Sequence, residues 1–467
     1  MTLKFFNTLS RKKETFKPIH KGKVGIYTCG PTVYQYAHIG NMRAYVMADV
    51  LKRTLKHAGF KVNHVINITD VGHLTSNADE GEDKMEAEAR RTQKSAQDIA
   101  QFYTKAFWND LKVLNISTKS IKFPRASRHI KEQIQLIKIL EKKGFAYQTS
   151  DGIYFDTSKF KNYGKLARLN LKGLREGARI GIHAEKKNVS DFALWKFSPQ
   201  TGARQQEWES PWGIGFPGWH IECSAMSMKY LGAHFDIHTS GIDHIPVHHT
   251  NEIAQSESVT GKKFVNYWIH NEFVNMGGEK MAKSLGNILT LADLEKKGVS
   301  PSAYRYWLLT AHYRSPVAFS LNAVHGAGVA LQRIVSAIVE ASSGGRPVKR
   351  IMKKFTEYIS DDLDTPRAIA LMWEILKDET IPPRDKRATI FEFDTVLGLD
   401  LKGLVKNTKK MAHVVVPKNI QQLLREREDA RTAKDWATAD KLRDAIYTLG
   451  YEIKDTNEGS QIIKILS

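Results

Sequence analysis

The sequence predicts an α/β protein: a parallel, nucleotide-binding sheet carrying an insertion, then a helical bundle and a small C-terminal region. Three observations carry that expectation. Strand-like and helix-like runs alternate through the first hundred residues, strands of the same character return at 234–241 and 264–274, and from about 320 the pattern turns helical. At 467 residues the chain is also too long for one ordinary core, so two or more domains are expected.

The first strand is VGIYTCG at 24–30, and Pro31 and Gly40 punctuate the stretch after it. From Met42 apolar residues recur at helical spacing up to Gly59, a common helix-ending residue. VNHVINITD at 62–70 reads as the next strand, so strand, helix and strand come in the order of a parallel sheet with polar groups at its strand ends. No GxGxxG fingerprint is present, which leaves NAD-type binding without support. Residues 78–98 are charged and helix-prone, and 125–144 form an amphipathic helical pattern closed by Gly144. The stretch 145–216 is rich in turn residues and reads as an insertion that interrupts the sheet, which resumes with HFDIHTSG and FVNYWIHNEFV. Beyond 320, LNAVHGAGVALQRIVSAIVEA gives way at SSGGRP (342–347) to two or three further helices. The last part predicts one highly charged helix over about 418–449 and a short β-prone tail.

Hydrophobic residues make up 42% of the chain, an ordinary share for a soluble globular protein, and no apolar run is long enough to span a bilayer. The start, MTLKFFNTLSRKKETF, is basic but lacks a continuous apolar stretch, so a secretory signal is not expected. A net charge of +20 points to a polyanionic partner, because neutralising phosphates supplies much of the affinity for nucleic acid. Surface solubility is the plainer use of the same charge. Basic runs at 11–23, 346–354 and 434–445 give the RNA expectation a location, although a single run is more often a solvated face.

Two cysteines, Cys29 and Cys223, are too few for a disulfide framework and read as free thiols or metal ligands. WHIECSAMSMKYLG at 219–232 reads as a helix with Trp219 and Cys223 one turn apart on one face. In PVHHTNEIAQSE, His248 and Glu252 are also four apart, which turns His249 elsewhere; His244, before Pro246, falls outside the helix. Thiolate, imidazole and carboxylate are all good zinc ligands, so Cys29, Cys223, His248 and Glu252 form a candidate set of four. A buried free cysteine is otherwise a small hydrophobe, and without a CxxC pair the residues alone leave both readings open.

AHIGN at 37–41 and EKMAKSLGN at 279–287 resemble the paired HIGH and KMSKS signatures of class I aminoacyl-tRNA synthetases, which hold one ATP between them. IYTCGPTVY, NITD at 67–70, PGWHIECSAM, HHTNEIAQSE and DARTAKDWATADKLRDAI extend the likeness, in order, so that nearly the whole chain resembles the cysteinyl-tRNA synthetases. The resemblance implies a Rossmann-like catalytic domain over 1–320, with an insertion at about 110–216 and a KMSKS-containing stem-contact region at about 265–320. It implies a helical bundle at 321–400 and an anticodon-binding region at 401–467.

The activity implied is a cysteine–tRNA ligase, which activates L-cysteine with ATP and Mg2+ to cysteinyl-adenylate and pyrophosphate, then transfers cysteine to the 3′-terminal adenosine of tRNA(Cys). In such a family Cys29, Cys223, His248 and Glu252 hold one zinc ion that also meets the substrate thiol. Size alone separates cysteine from serine or alanine by only ~10–200-fold, whereas a metal favours a thiol by lowering its pKa. Cys29, Thr69, Trp219 and His238 then border the amino acid, with Trp219 excluding longer side chains. His38 can donate to a phosphate oxygen, Gly40 admits the adenine close to the backbone, and Asp243 suits the ribose hydroxyls. Lys280 and Lys283 meet charge developing on pyrophosphate, and with His38 they are the catalytic candidates.

Two positions depart from the signatures: Asn41 stands where HIGH ends in histidine, and Ala282 where KMSKS has serine. An amide still donates a hydrogen bond, so Asn41 stays among the ATP-binding candidates, but it carries no proton. The expected partners are tRNA(Cys), L-cysteine and ATP, with a cytoplasmic monomer and no membrane. One alternative is a cysteine ligase acting on an amino sugar, which resembles this catalytic domain but lacks the C-terminal extension. The other is a non-catalytic tRNA-binding paralogue, for which Asn41 and Ala282 are the only hints. A thiol-dependent hydrolase is discounted, because no Cys/His pair with a third orienting group stands out.

Overall fold

The computed structural model describes residues 1–72, 83–169, 185–198, 204–276, 279–280, 288–412, 417–456 and 459–464. The chain forms two compact units. One comprises Met1–Thr290 with Leu308–Phe319 and Thr356–Arg367, the other Leu291–Trp307 with Ser320–Phe355 and Ala368–Ser467.

The first unit opens with a hairpin, β1 (Lys4–Asn7) and β2 (Lys12–Thr15), which the sequence pattern did not announce. Then come β3 (Lys23–Thr28), α1 (Ile39–His57), β4 (Lys61–Ile66), α2 (Lys84–Thr92), α3 (Ala96–Val113), β5 (Ile121–Lys122) and α4 (Ile130–Lys142). Four short antiparallel strands are next: β6 (Ala146–Thr149), β7 (Gly152–Phe155), β8 (Phe192–Phe197) and β9 (Gly215–Pro217). The chain returns through α5 (Trp219–Leu231), β10 (Phe235–Gly241), α6 (Thr250–Thr260), β11 (Val265–Asn271), β12 (Val274–Met276) and β13 (Glu279–Lys280).

β3, β4, β5, β10 and β11 form one parallel sheet in the order β11-β10-β3-β4-β5. Both of its faces are covered, and the period-two alternation of β3 shows how. Val24 and Ile26 pack with Met47, Leu51 and Leu55 of α1, whereas Tyr27 joins Cys223 and Met226 of α5. The chain leaves β3 toward β4 and later comes back to its other side as β10. That reversal of strand order opens a crevice at the carboxyl ends of β3 and β10, where α/β sheets bind ligands.

Two helix starts differ from the sequence pattern. α1 begins at Ile39, not Met42, because His38 and Asn41 cap its N-terminus. The 125–144 pattern opens with a short turn, Ala126–Arg128, and becomes α-helical only at Ile130.

The remaining elements are α7 (Leu291–Lys296), α8 (Pro301–Leu309), β14 (Val317–Phe319), α9 (Leu321–Val339), α10 (Lys349–Ser360), α11 (Thr365–Lys377), α12 (Pro383–Leu397) and α13 (Leu401–Ala412). The C-terminal segment holds α14 (Lys418–Thr432), α15 (Trp436–Thr448) and a hairpin of β15 (Tyr451–Thr456) and β16 (Gly459–Lys464). The single helix predicted over 418–449 is therefore two. Lys434 takes a left-handed φ of 61°, and the Asp435 carboxylate accepts from Thr438 N at 3.0 Å to start α15. Ile420, Ile446 and Tyr451 form the small core beneath the hairpin. Among the described residues no helix is long and apolar enough to cross a membrane.

Candidate active site and metal centre

β3 ends in Thr28, and Cys29 and Gly30 carry the chain over the sheet's edge. Gly30 N donates to Asn67 Oδ1 at 2.7 Å, and a Cβ on Gly30 would stand 1.5 Å from the Asn67 carbonyl oxygen. Only glycine allows the two strand ends to approach so closely, and this approach sets the position of Cys29.

α1 then begins at the crevice. Asn41 N donates to His38 Nδ1 (3.3 Å) and His38 N donates to Asn41 Oδ1 (3.2 Å), a reciprocal cap. Asn41, the departure from the HIGH pattern, thus has a structural use. Because Nδ1 of His38 accepts a hydrogen bond, its ring proton belongs on Nε2, as a donor to an anion requires. The first amides of α1 are already engaged: Ile39 N donates to the Leu289 carbonyl at 2.8 Å, and Asn41 N and Met42 N donate to His38. Arg43, one turn on, donates to the carbonyls of Glu272 (2.9 Å), Phe273 (2.6 Å), His312 (3.1 Å) and Ser315 (2.5 Å), anchoring α1 to the turn between β11 and β12.

The four predicted metal ligands converge. Ligand atoms of Cys29, Cys223, His248 and Glu252 all lie within 4.8 Å of one another, and every one of these residues is buried. His248 Nε2 faces Glu252 Oε1 from 3.0 Å, yet that oxygen is buried without a hydrogen-bond partner among the described residues. Two sulfurs, a nitrogen and an unsatisfied carboxylate oxygen meeting in one place suit a zinc ion better than they suit one another. An overlapping group, Cys29, His238, His249 and Glu252, meets the same spacing.

Electrostatics point the same way. Burial pushes the Cys29 thiol up, while a hydrogen bond with Cys29 takes the Cys223 thiol down to about 5. Burial opposes charge on His248, but Glu252 and Cys223 outweigh it and raise the imidazole to about 10. Burial likewise opposes charge on Glu252, and His238 with His248 outweighs it, taking the carboxyl down to about 2. Two anionic ligands thus share a dry pocket, a suitable setting for a cation.

His249 does not turn elsewhere. A π-helical turn, Ile245–His249, precedes α6, and both of its neighbouring histidines reach the cluster. His249 Nε2 is 3.3 Å from Cys29 Sγ, and its Nδ1 is 2.8 Å from His270 Nε2. The sequence pattern did not disclose this pair, nor His220, whose Nδ1 is 2.9 Å from His248 Nδ1. The doublet HH at 248–249 and the WH at 219–220 are the only signals the sequence offers for them.

The crevice has a cavity volume of about 310 Å³, and Cys29, His38, Gly40, Asn41, Trp219 and Asp243 all line it. Trp219 stands between cleft and cluster, its ring 4.3 Å from that of His248. Thr69 and His238 are not on the cleft wall. Thr69 is buried, and its hydroxyl donates to Glu222 Oε2 at 3.3 Å. Fully buried His238 meets Glu252 Oε2 at 3.0 Å, so it supports a ligand candidate. Lys280 ends β13, paired with Asn275 of β12. Lys283 and Ala282 lie outside the described residues.

Known proteins match both ends of the chain. Residues 15–328 match the model of the class I (C) tRNA synthetase catalytic domain, and residues 414–462 match that of the cysteinyl-tRNA ligase anticodon-binding domain. Cysteine–tRNA ligase 1 of Burkholderia lata is 48% identical over 463 residues, covering 99% of this chain and 97% of the relative. The cysteine–tRNA ligase of Treponema denticola is 44% identical, covering 97% and 98%. Among solved structures, a Mycobacterium tuberculosis methionyl-tRNA synthetase bound by methionyl-adenylate aligns with a TM-score of 0.53 at 15% identity, covering 81% of this chain and 90% of that one. A LeuRS from Agrobacterium radiobacter, in a ternary complex with tRNA and LeuAMS, aligns at 0.58 with 11% identity, covering 84% and 85%. These two likenesses bear on the fold.

Proposed function

The chain belongs to the cysteinyl-tRNA synthetase family of class I aminoacyl-tRNA synthetases, and from that premise we propose how its residues select cysteine and join it to tRNA. The activity is the ATP-dependent charging of tRNA with cysteine. The observation that carries the finer reading is the convergence of Cys29, Cys223, His248 and Glu252 beside a cleft that also holds the capped start of α1.

In the first step the cysteine carboxylate attacks the α-phosphorus of ATP, supplied with Mg2+, and pyrophosphate leaves. Positioning and charge neutralisation dominate such steps. His38, through Nε2–H, stabilises a phosphate oxygen; Gly40 and Asn41 hold that turn in shape, and Asp243 accepts from the ribose hydroxyls. Lys280 and Lys283 neutralise the departing pyrophosphate. Trp219 walls the amino-acid end, while Thr69 and His238 act from behind it. Cys29, Cys223, His248 and Glu252 would hold zinc, which when bound favours a substrate thiol over a hydroxyl by stabilising its deprotonated form. In the second step a ribose hydroxyl of the 3′-terminal adenosine of tRNA(Cys) displaces AMP from the cysteinyl carbonyl. We assign 1–320 to catalysis, 321–400 to the bundle and 401–467 to the anticodon.

Lys283→Ala is expected to slow cysteine-dependent ATP–pyrophosphate exchange by about 10²–10³-fold, the usual cost of losing one such electrostatic donor. Cysteine binding should change little. An unchanged exchange rate would remove Lys283 from this role.

His220 tests the metal reading through a neighbour of a ligand. If His248 ligates through Nε2, its Nδ1 carries the proton and donates to His220. His220→Phe keeps the ring but deletes the acceptor, and metal affinity should fall by about 10–100-fold, measured by competition with a chelator. His220→Gln should recover part of it. Equal zinc affinity in wild type and His220→Phe would contradict this coupling.

A further inference from the structure

We infer that an exposed aromatic cluster at the rim of the cleft, Tyr36, Phe102 and Tyr103, is a stacking platform for unpaired nucleotides at the 3′ end of tRNA. The inference rests on the tRNA-charging reading above and adds to it the surface that receives the RNA strand. Tyr36 comes from the loop between β3 and α1, and Phe102 and Tyr103 from α3.

The three rings meet edge to face. Tyr36 lies 5.9 Å from Phe102 and 5.1 Å from Tyr103, and Phe102 lies 5.1 Å from Tyr103, with interplanar angles of 71°, 90° and 82°. Tyr36 and Phe102 are each 49% exposed, so much of the cluster's aromatic surface meets solvent. Phe102 has no polar group to justify that exposure. Nor does helix packing require it there, since α3 buries Ile99, Ala100, Thr104, Phe107 and Leu111 instead. A single exposed apolar residue is ordinary, but exposed rings in mutual contact and rimmed by polar residues mark an interaction surface.

Charge around the rings suits a polyanion. Lys94 Nζ stands 5.7 Å from the Phe102 ring, and Lys84 Nζ stands 5.9 Å from the ring of neighbouring Tyr34. The nearby carboxylate, Glu88, accepts from the Tyr103 hydroxyl at 3.0 Å and pairs with Arg91 at 2.7 Å, so its charge is already neutralised. The platform is also continuous with the cleft, because Tyr34, Tyr36 and Lys84 line it together with Cys29 and His38. A ribose hydroxyl that reaches the adenylate brings its preceding nucleotides over the rim of the cleft, and this cluster forms one side of that rim. Unpaired bases offer π-faces whatever their identity, and their phosphates answer the lysines.

The test uses the full-length, zinc-loaded enzyme with Phe102→Ala and Phe102→Leu, and two RNAs: tRNA(Cys) and the same tRNA lacking its three terminal nucleotides. Phe102 lies outside the adenylate cleft, so exchange of pyrophosphate without RNA reports the first step separately. The expected result is a roughly ten- to a hundredfold loss in kcat/KM for tRNA charging in both variants, the worth of one stacked base. Phe102→Trp should charge normally. Both variants should bind intact tRNA more weakly than wild type but the shortened tRNA equally well. Wild-type charging by Phe102→Leu, or the same loss of affinity for both RNAs, would overturn the platform. If Phe102→Ala also loses exchange, its fold is damaged and Phe102→Leu decides. Wild-type enzyme that fails to exchange pyrophosphate with cysteine would instead defeat the ligase reading.

Discussion

Replacing Cys223 with serine is expected to remove zinc and cysteine activation together. Cys223 sits one turn into α5, 1% exposed, with its sulfur in the four-residue cluster. Serine keeps the size and hydrogen-bonding capacity but offers a hydroxyl that does not ionise near neutral pH, so the metal loses a soft, anionic ligand. A neighbour then suffers as well. The His248 imidazole loses one of the two anions, Glu252 and Cys223, that hold it charged against the cost of burial. Loss of a ligand exceeds the ~10–100-fold typical of a change to a ligand's hydrogen-bonding partner, so zinc content after dialysis should fall to background. Cysteine-dependent exchange should drop by at least about 10³-fold, the combined loss of thiol recognition and site shape. A zinc-free Cys223→Ser enzyme with normal exchange would separate the metal from substrate selection.

Gly30→Ala is expected to be the most damaging single-methyl change near the site. The new Cβ would stand 1.5 Å from the carbonyl oxygen of Asn67, a backbone atom one residue beyond the end of β4. Neither partner is a flexible side-chain end, so β3 and β4 must separate at their carboxyl ends. Forcing a methyl into packed structure typically costs about 1–3 kcal/mol, and a backbone clash this close puts it at the upper end. The Gly30 N to Asn67 Oδ1 hydrogen bond would go with it, and Cys29, the preceding residue, would shift. Thermal unfolding should show a melting temperature lowered by several degrees, and the folded fraction should bind zinc poorly. An unaltered melting temperature and zinc affinity would show that the loop relaxes freely.

Much of this architecture was legible in the sequence, for identifiable reasons. VGIYTCG and VNHVINITD are β-rich runs on either side of a helical stretch, and they are adjacent parallel strands in the sheet. The i, i+4 spacing of Trp219 with Cys223 and of His248 with Glu252 survives because both pairs lie at or near helix starts. Other features had no readable signal. His249 faces the cluster from a π-helical turn, where α-helical spacing does not apply. The break between α14 and α15 carries neither glycine nor proline, since Lys434 itself adopts the left-handed conformation. Strands β6 to β9 span only three to six residues each, too few for alternation to stand out from a turn-rich stretch. Asn41 read as a departure from a catalytic signature. Its reciprocal cap with His38 emerges only when the helix start is known.

The most direct measurement is charging of tRNA(Cys) by zinc-loaded and zinc-stripped enzyme, with serine and alanine competing against labelled cysteine. The zinc-loaded enzyme should charge cysteine and reject serine by far more than the ~10–200-fold that pocket size alone supplies. Stripping zinc should abolish charging, and restoring it should bring back both rate and selectivity. Zinc-stripped enzyme that charges cysteine with undiminished selectivity would contradict the account, leaving Cys29, Cys223, His248 and Glu252 as a structural cluster.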